Sequence, residues 1–164
     1  MFKGCKIIEP KEQPKCQAIG GGLSILLEDM TYIFELDGAR FKLFVPALFI
    51  FDGASIPRLT WSIIGLTPHG SMDGPALPHD FIYHFKGEMP IGSVFIKFSK
   101  GWVPVQEFHR KDADKLLTAL CKHFKAANRI QARLVWWAVR AFGWAAWRRD
   151  DASRKENLLD SSAA

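Results

Sequence analysis

His79, Asp80 and Tyr83 stand in one otherwise apolar stretch, GPALPHDFIYHFKG at residues 74–87, and Asp114 stands in RKDADKLLTALC at residues 110–121. On a helix, His79 and Tyr83 share one face and Asp80 sits one step around it. A second helix puts Asp114, Leu117 and Cys121 on one face and turns Asp112 well away. Unpaired polar groups are costly to bury, so these side chains satisfy one another or face something that uses them. A buried carboxylate that holds a histidine leaves the other ring nitrogen to take a proton from water, the chemistry of hydrolysis. Asp80 is then left to hold a hard cation through its carboxylate oxygens. The same residues also suit a network that only locks two helices together.

Other candidates carry weaker signals. Asp52 and Ser55 in FDGASIPRLTW, residues 51–61, suit a local turn and a helix cap, or alternatively a place for Asp52 in a cleft shared with His79. His69, His84, His109 and His123 form no pair at zinc spacing, and Cys121-x-His123 alone is insufficient. The order His69, His79-Asp80, Asp114 suggests a metal-dependent phosphohydrolase with a His-Asp doublet, but His69 falls in a Gly/Pro loop, not on a helix.

A third constellation is RIQARLVWWAVRAFGWAAWRR, residues 129–149. Lys122, Lys125, Arg129, Arg133, Arg140, Arg148 and Arg149 fall in a run, 122–149, that holds no acidic residue. A basic helix rich in tryptophan can lie in a membrane interface or pack in a core with one basic edge exposed. Helical spacing puts Arg133, Trp136 and Arg140 on one stripe and Leu134, Trp137 and Trp144 on another. The second stripe is expected in the core, with the arginines facing solvent or an anionic partner. No nucleic-acid recognition motif accompanies the charge.

The elements that must position these residues follow from pattern and punctuation. The chain has 164 residues and a formal net charge of +5, enough for one core and open to an anionic partner. Three cysteines show no disulfide framework, which points to a reducing site of synthesis. No stretch reaches ~20 uninterrupted apolar residues, so no membrane span is expected, and MFKGCKIIEPKEQPK has no features of a secretory signal. Residues 1–22 read as an irregular lead-in, 23–149 as a single domain and 150–164 as a polar tail.

The expected fold is α+β. It opens with an antiparallel meander of LSILLE (23–28), TYIFEL (31–36) and RFKLFVP (40–46), with ALFIF (47–51) as an extension. A short helix over 57–65 follows Ser55, and the His-Asp helix starts at Pro78 and stops at Lys86-Gly87. A hairpin over 94–98 and 102–106 leads to two long helices, about 108–126 and 129–148.

FDGASIPRLTW, ALPHDFIY, RKDADKLL and VRAFGW, in that order, resemble the bacteriophage and prophage family called domain of unknown function 1353. The resemblance implies a phage or prophage origin and no settled activity. More loosely, His79-Asp80-Phe81-Ile82-Tyr83, the hairpin at 91–106 and Asp114 resemble the helix–hairpin–helix part of phospholipase A2. That resemblance implies His79 as general base, Asp80 as calcium ligand, and Tyr83 and Asp114 as supports; IGLTPHGSMDG, residues 64–74, stands in place of the calcium loop without its full glycine pattern.

Two functions are therefore expected. One is a phage-encoded accessory or virion-associated protein, made in the host cytoplasm, whose His79–Asp114 centre hydrolyses an ester of the bacterial envelope. The other is a non-catalytic virion or tail component, in which the same residues are structural and the partners are other virion proteins.

Overall fold

Along MTYIFEL, Tyr32, Phe34 and Leu36 are buried and the residues between them are half-buried, the alternation of a strand with one face on a core. The computed structural model describes residues 4–52, 65–66 and 70–148. Its elements are β1 (Cys5–Glu9), β2 (Cys16–Gly20), β3 (Leu23–Leu26), β4 (Met30–Leu36), β5 (Ala39–Val45), β6 (Ile50–Phe51), α1 (Asp73–His84), β7 (Val94–Phe98), β8 (Gly101–Pro104), α2 (Arg110–His123) and α3 (Arg129–Arg148). The architecture is α+β. Five antiparallel strands in the order β1-β4-β5-β7-β8 form the larger sheet, and β2-β3-β6 form the smaller one.

The β4–β5 hairpin closes on Asp37-Gly38, whose φ angles of 48° and 89° are the left-handed pair that a two-residue turn needs. The expected meander holds only for these two strands. Leu23–Leu26 leaves it to pair with β2 and β6, and of 47–51 only Ile50–Phe51 is a strand. The cause lies in the lead-in, which is not irregular. Gly20, Gly21 and Gly22 all take positive φ and turn β2 back onto β3, so the glycine run is a hairpin turn. Of the expected helix over 57–65, residues 57–64 lie outside the described residues, as do Ser55, His69 and the tail from 150, and Gly65 stands in a turn.

Helix α1 is buried continuously from Gly74 to Tyr83, the signature of a helix packed on all sides. It starts at Asp73, five residues before Pro78, so the proline lies inside the helix and does not open it. Pro78 has no N–H to give to the carbonyl four residues back, that of Gly74. The Tyr32 hydroxyl fills the vacancy, donating to the Gly74 carbonyl at 3.0 Å from the larger sheet. At the first turn, Gln13 accepts from the Gly74 N–H and donates to the Ser71 carbonyl, both at 2.9 Å. A side chain at position 74 would occupy the space of the Gln13 amide and crowd the edge of the Phe124 ring, so glycine keeps this contact open. His123 Nε2–H donates to the Pro10 carbonyl at 2.7 Å, so the lead-in is fastened to α2 as well.

Helix α3 differs most from expectation. Leu134, Trp137 and Trp144 are exposed, while Ala132, Val135, Val139 and Gly143 form its buried face. Small residues won because α3 approaches α1 closely. A Cβ on Gly143 would come within 2.7 Å of the Tyr83 hydroxyl, leaving no room for an indole.

The Tyr32 bond gives a direct test. Tyr32→Phe leaves a buried carbonyl without a donor and is expected to lower stability by about 1–3 kcal/mol in urea unfolding. In a Pro78→Ala background, where a backbone N–H is restored, the cost of Tyr32→Phe is expected to shrink by at least about 0.5 kcal/mol. Equal costs in both backgrounds would show that the hydroxyl does not replace the missing donor.

Candidate functional site

Four residues from three helices meet on one carboxylate. Asp114 Oδ1 accepts from His79 Nε2 at 3.1 Å and from the Tyr83 hydroxyl at 2.6 Å. Asp114 Oδ2 accepts from Arg140 Nη1 at 3.1 Å, and Arg110 Nε lies 3.9 Å away. On the far side of the imidazole, Nδ1 faces Asp80 Oδ1 at 3.4 Å. His79 and Asp114 are 0% exposed, Tyr83 is 3% and Asp80 is 6%.

Helical geometry supplies most of this arrangement. His79 and Tyr83 are four apart on α1, and their rings lie 4.0 Å apart at a tilt of 30°. Trp147 of α3 closes over Tyr83 edge-on, with ring centroids 5.0 Å apart. Arg110 stands four residues before Asp114 on α2 and donates to the Arg140 carbonyl at 2.8 Å, tying the two arginine-bearing helices together. Thr118 Oγ1 donates back to the Asp114 carbonyl at 2.9 Å.

Electrostatics favour the charged forms. Burial pulls the His79 pKa down, but hydrogen bonds accepted by Asp114 and Asp80 from the protonated ring outweigh it and hold the pKa above the ordinary 6.5. Burial pushes the Asp114 pKa up, but His79, Tyr83 and Arg140 outweigh it and hold the pKa below 3.8. Burial and the adjacent Asp114 charge push the Tyr83 phenol well above its usual range, so it stays a donor.

His79, Tyr83, Asp80 and Asp114 thus stand together. Asp52 is exposed just past β6, while His79 is fully buried. Arg133 is exposed, whereas Arg140, expected on the same solvent-facing stripe, turns inward to Asp114. Sequence reasoning missed Arg110 as a member, although its i, i+4 spacing to Asp114 was a usable signal. For calcium, Asp80 offers one carboxylate where the ion takes six to eight oxygens. No group of three acidic, histidine or cysteine side chains suited to a metal occurs among the described residues.

Among the described residues, antiparallel sheets packed against α1 and α2, with α3 on those two helices and a His–Asp–Tyr–Arg cluster between the three, define an α+β protein with a charged polar centre. The family of proteins of unknown function DUF1353 matches residues 25–139, more than two thirds of the chain. This chain belongs to that family. Neither the curated proteins nor the solved structures contain a match.

Both pKa shifts carry signs that can be checked. The His79 contribution to stability is complete below 6.5 and is lost as pH rises through the raised folded value. The Asp114 contribution is present above 3.8 and is lost as pH falls through the depressed folded value. The network is therefore strongest between 3.8 and 6.5. The melting temperature is expected to fall from pH 6.5 upward in the wild type and to change less over that range in His79→Gln. Asp114→Asn leaves buried cations uncompensated and is expected to cost about 3–5 kcal/mol in urea unfolding.

Proposed function

We propose that this chain hydrolyses esters, with His79 as the general base, and that its target is a lipid of the bacterial envelope. The single observation that carries the reading is the division of labour between the two ring nitrogens. Nε2 is fixed on a carboxylate that Tyr83 and Arg140 hold in turn, while among the described residues Nδ1 has the longer 3.4 Å contact to Asp80, which is 6% exposed where His79 and Asp114 are 0%. A buried ion network contributes little net stability compared with apolar packing, so a purely stabilising purpose explains it poorly.

In the proposed reaction water attacks the ester carbonyl carbon and gives its proton to Nδ1. Nε2–H stays on Asp114, which stabilises the imidazolium as it forms. Collapse of the tetrahedral adduct breaks the C–O bond to the alcohol, and the proton returns from Nδ1 to the leaving oxygen. Only neutral imidazole can begin this cycle. Because the His79 pKa is raised, the rate is expected to climb with pH above 6.5.

A second reading has its own observation. His79 and Asp114 present no surface, which suits a network that only fastens α1, α2 and α3 in a non-catalytic virion or tail component. The phage setting in both readings rests on the motif resemblance.

Hydrolysis of a short-chain ester and of phosphatidylglycerol vesicles separates the two. The enzyme reading expects turnover that rises with pH above 6.5 and drops by about 10²–10⁴ in His79→Asn. Absence of turnover in wild-type protein with a cooperative melt, from pH 6 to 9, would leave the fastening role.

A further inference from the structure

Helix α3 carries a second apolar face that is exposed among the described residues. Ile130, Leu134, Trp137 and Trp144 are 71%, 43%, 62% and 52% exposed. With Ala141, also exposed, they recur at alternating spacings of four and three residues, so they form one straight stripe about 20 Å long. The stripe lies opposite Ala132, Val135, Val139 and Gly143, which face the core. Arg148 sits at the far end with its guanidinium 5.7 Å from the Trp144 ring. At the near end, Lys122, Lys125 and Arg129 line an open hollow of about 610 Å³ together with Ala127 and Asn128.

Charge decides what can cover this face. Residues 122–148 contain no Asp or Glu and five Lys and Arg residues besides Arg140, which is turned inward to Asp114. A second copy pairing along the stripe would set these cations against one another with no acid in the segment to offset them. An anionic bilayer meets both requirements. Tryptophan favours the headgroup level of a membrane, and cations beside it gain from anionic lipid. No helix among the described residues is long and apolar enough to cross a membrane, so α3 would lie in the interfacial plane.

We propose that α3 docks this protein flat on an anionic lipid surface. Ile130, Leu134, Trp137 and Trp144 reach the boundary between headgroups and acyl chains, and Lys122, Lys125 and Arg129 take lipid phosphates at the hollow. The proposal does not depend on a catalytic role for His79, because lipid binding is read without turnover.

Co-sedimentation of the full chain with vesicles tests it. Vesicles with equal phosphatidylglycerol and phosphatidylcholine are expected to bind at least about tenfold more tightly than phosphatidylcholine alone, and to weaken as salt screens the cations. Trp137→Ser with Trp144→Ser, and separately Lys122→Glu with Arg129→Glu, are each expected to weaken binding about tenfold or more while keeping the wild-type melt, since all four side chains are exposed. Three results would overturn the proposal. One is no sedimentation with either vesicle. Another is undiminished sedimentation of the tryptophan double variant, which would reduce the effect to charge alone. The last is a concentration-dependent dimer that the tryptophan changes abolish, which would show that a second copy covers the stripe.

Discussion

Asp114 holds a negative charge where water does not reach, and the three helices are arranged by what neutralises it. Its two oxygens accept from α1 through His79 and Tyr83 and from α3 through Arg140. An uncompensated buried carboxylate would cost several kcal/mol, and these contacts together offset that cost. The small face of α3 follows from the same demand. Gly143 lets the helix come close enough for Arg140 to reach Oδ2 and for Trp147 to close over Tyr83. Bringing the basic side of α3 inward at Arg140 also rotates Leu134, Trp137 and Trp144 out to solvent.

Much of this could be read from residue types and spacing, where local rules decide. Asp37-Gly38 announces its hairpin because only a left-handed pair closes two strands so tightly. His79 and Tyr83 must share a face once α1 is a helix, and Asp114 is the acid on the buried face of α2. The lead-in was misread because composition hides pairing. Pro10, Gln13 and Pro14 look like loop residues, yet their neighbours at Cys5–Glu9 and Cys16–Gly20 find strands whose partners lie further along the chain.

The start of α1 and the orientation of α3 were misjudged for a different reason. Proline at the first helical position is a sound local preference, and a long-range bond from Tyr32 overrode it. For α3, the face of Leu134, Trp137 and Trp144 and the face of Ala132, Val135, Val139 and Gly143 are both apolar enough to be buried, and the second was not considered from the spacing. Periodicity cannot rank them; the room left beside Tyr83 does, and that room exists only in the assembled protein.

The Tyr32–Gly74 contact has a consequence for how the larger sheet excludes wrong pairings. Side chains alternate along β4, so a slip of one residue against β1 or β5 would send Tyr32 to the opposite face. The Gly74 carbonyl would then lose its donor inside a helix that has no N–H to supply at Pro78. A misaligned sheet is thus penalised at a distant helix as well as in its own packing. Strand alignment and helix continuity are enforced together, and the proline that interrupts the backbone pattern makes the correct alignment distinguishable from its neighbours.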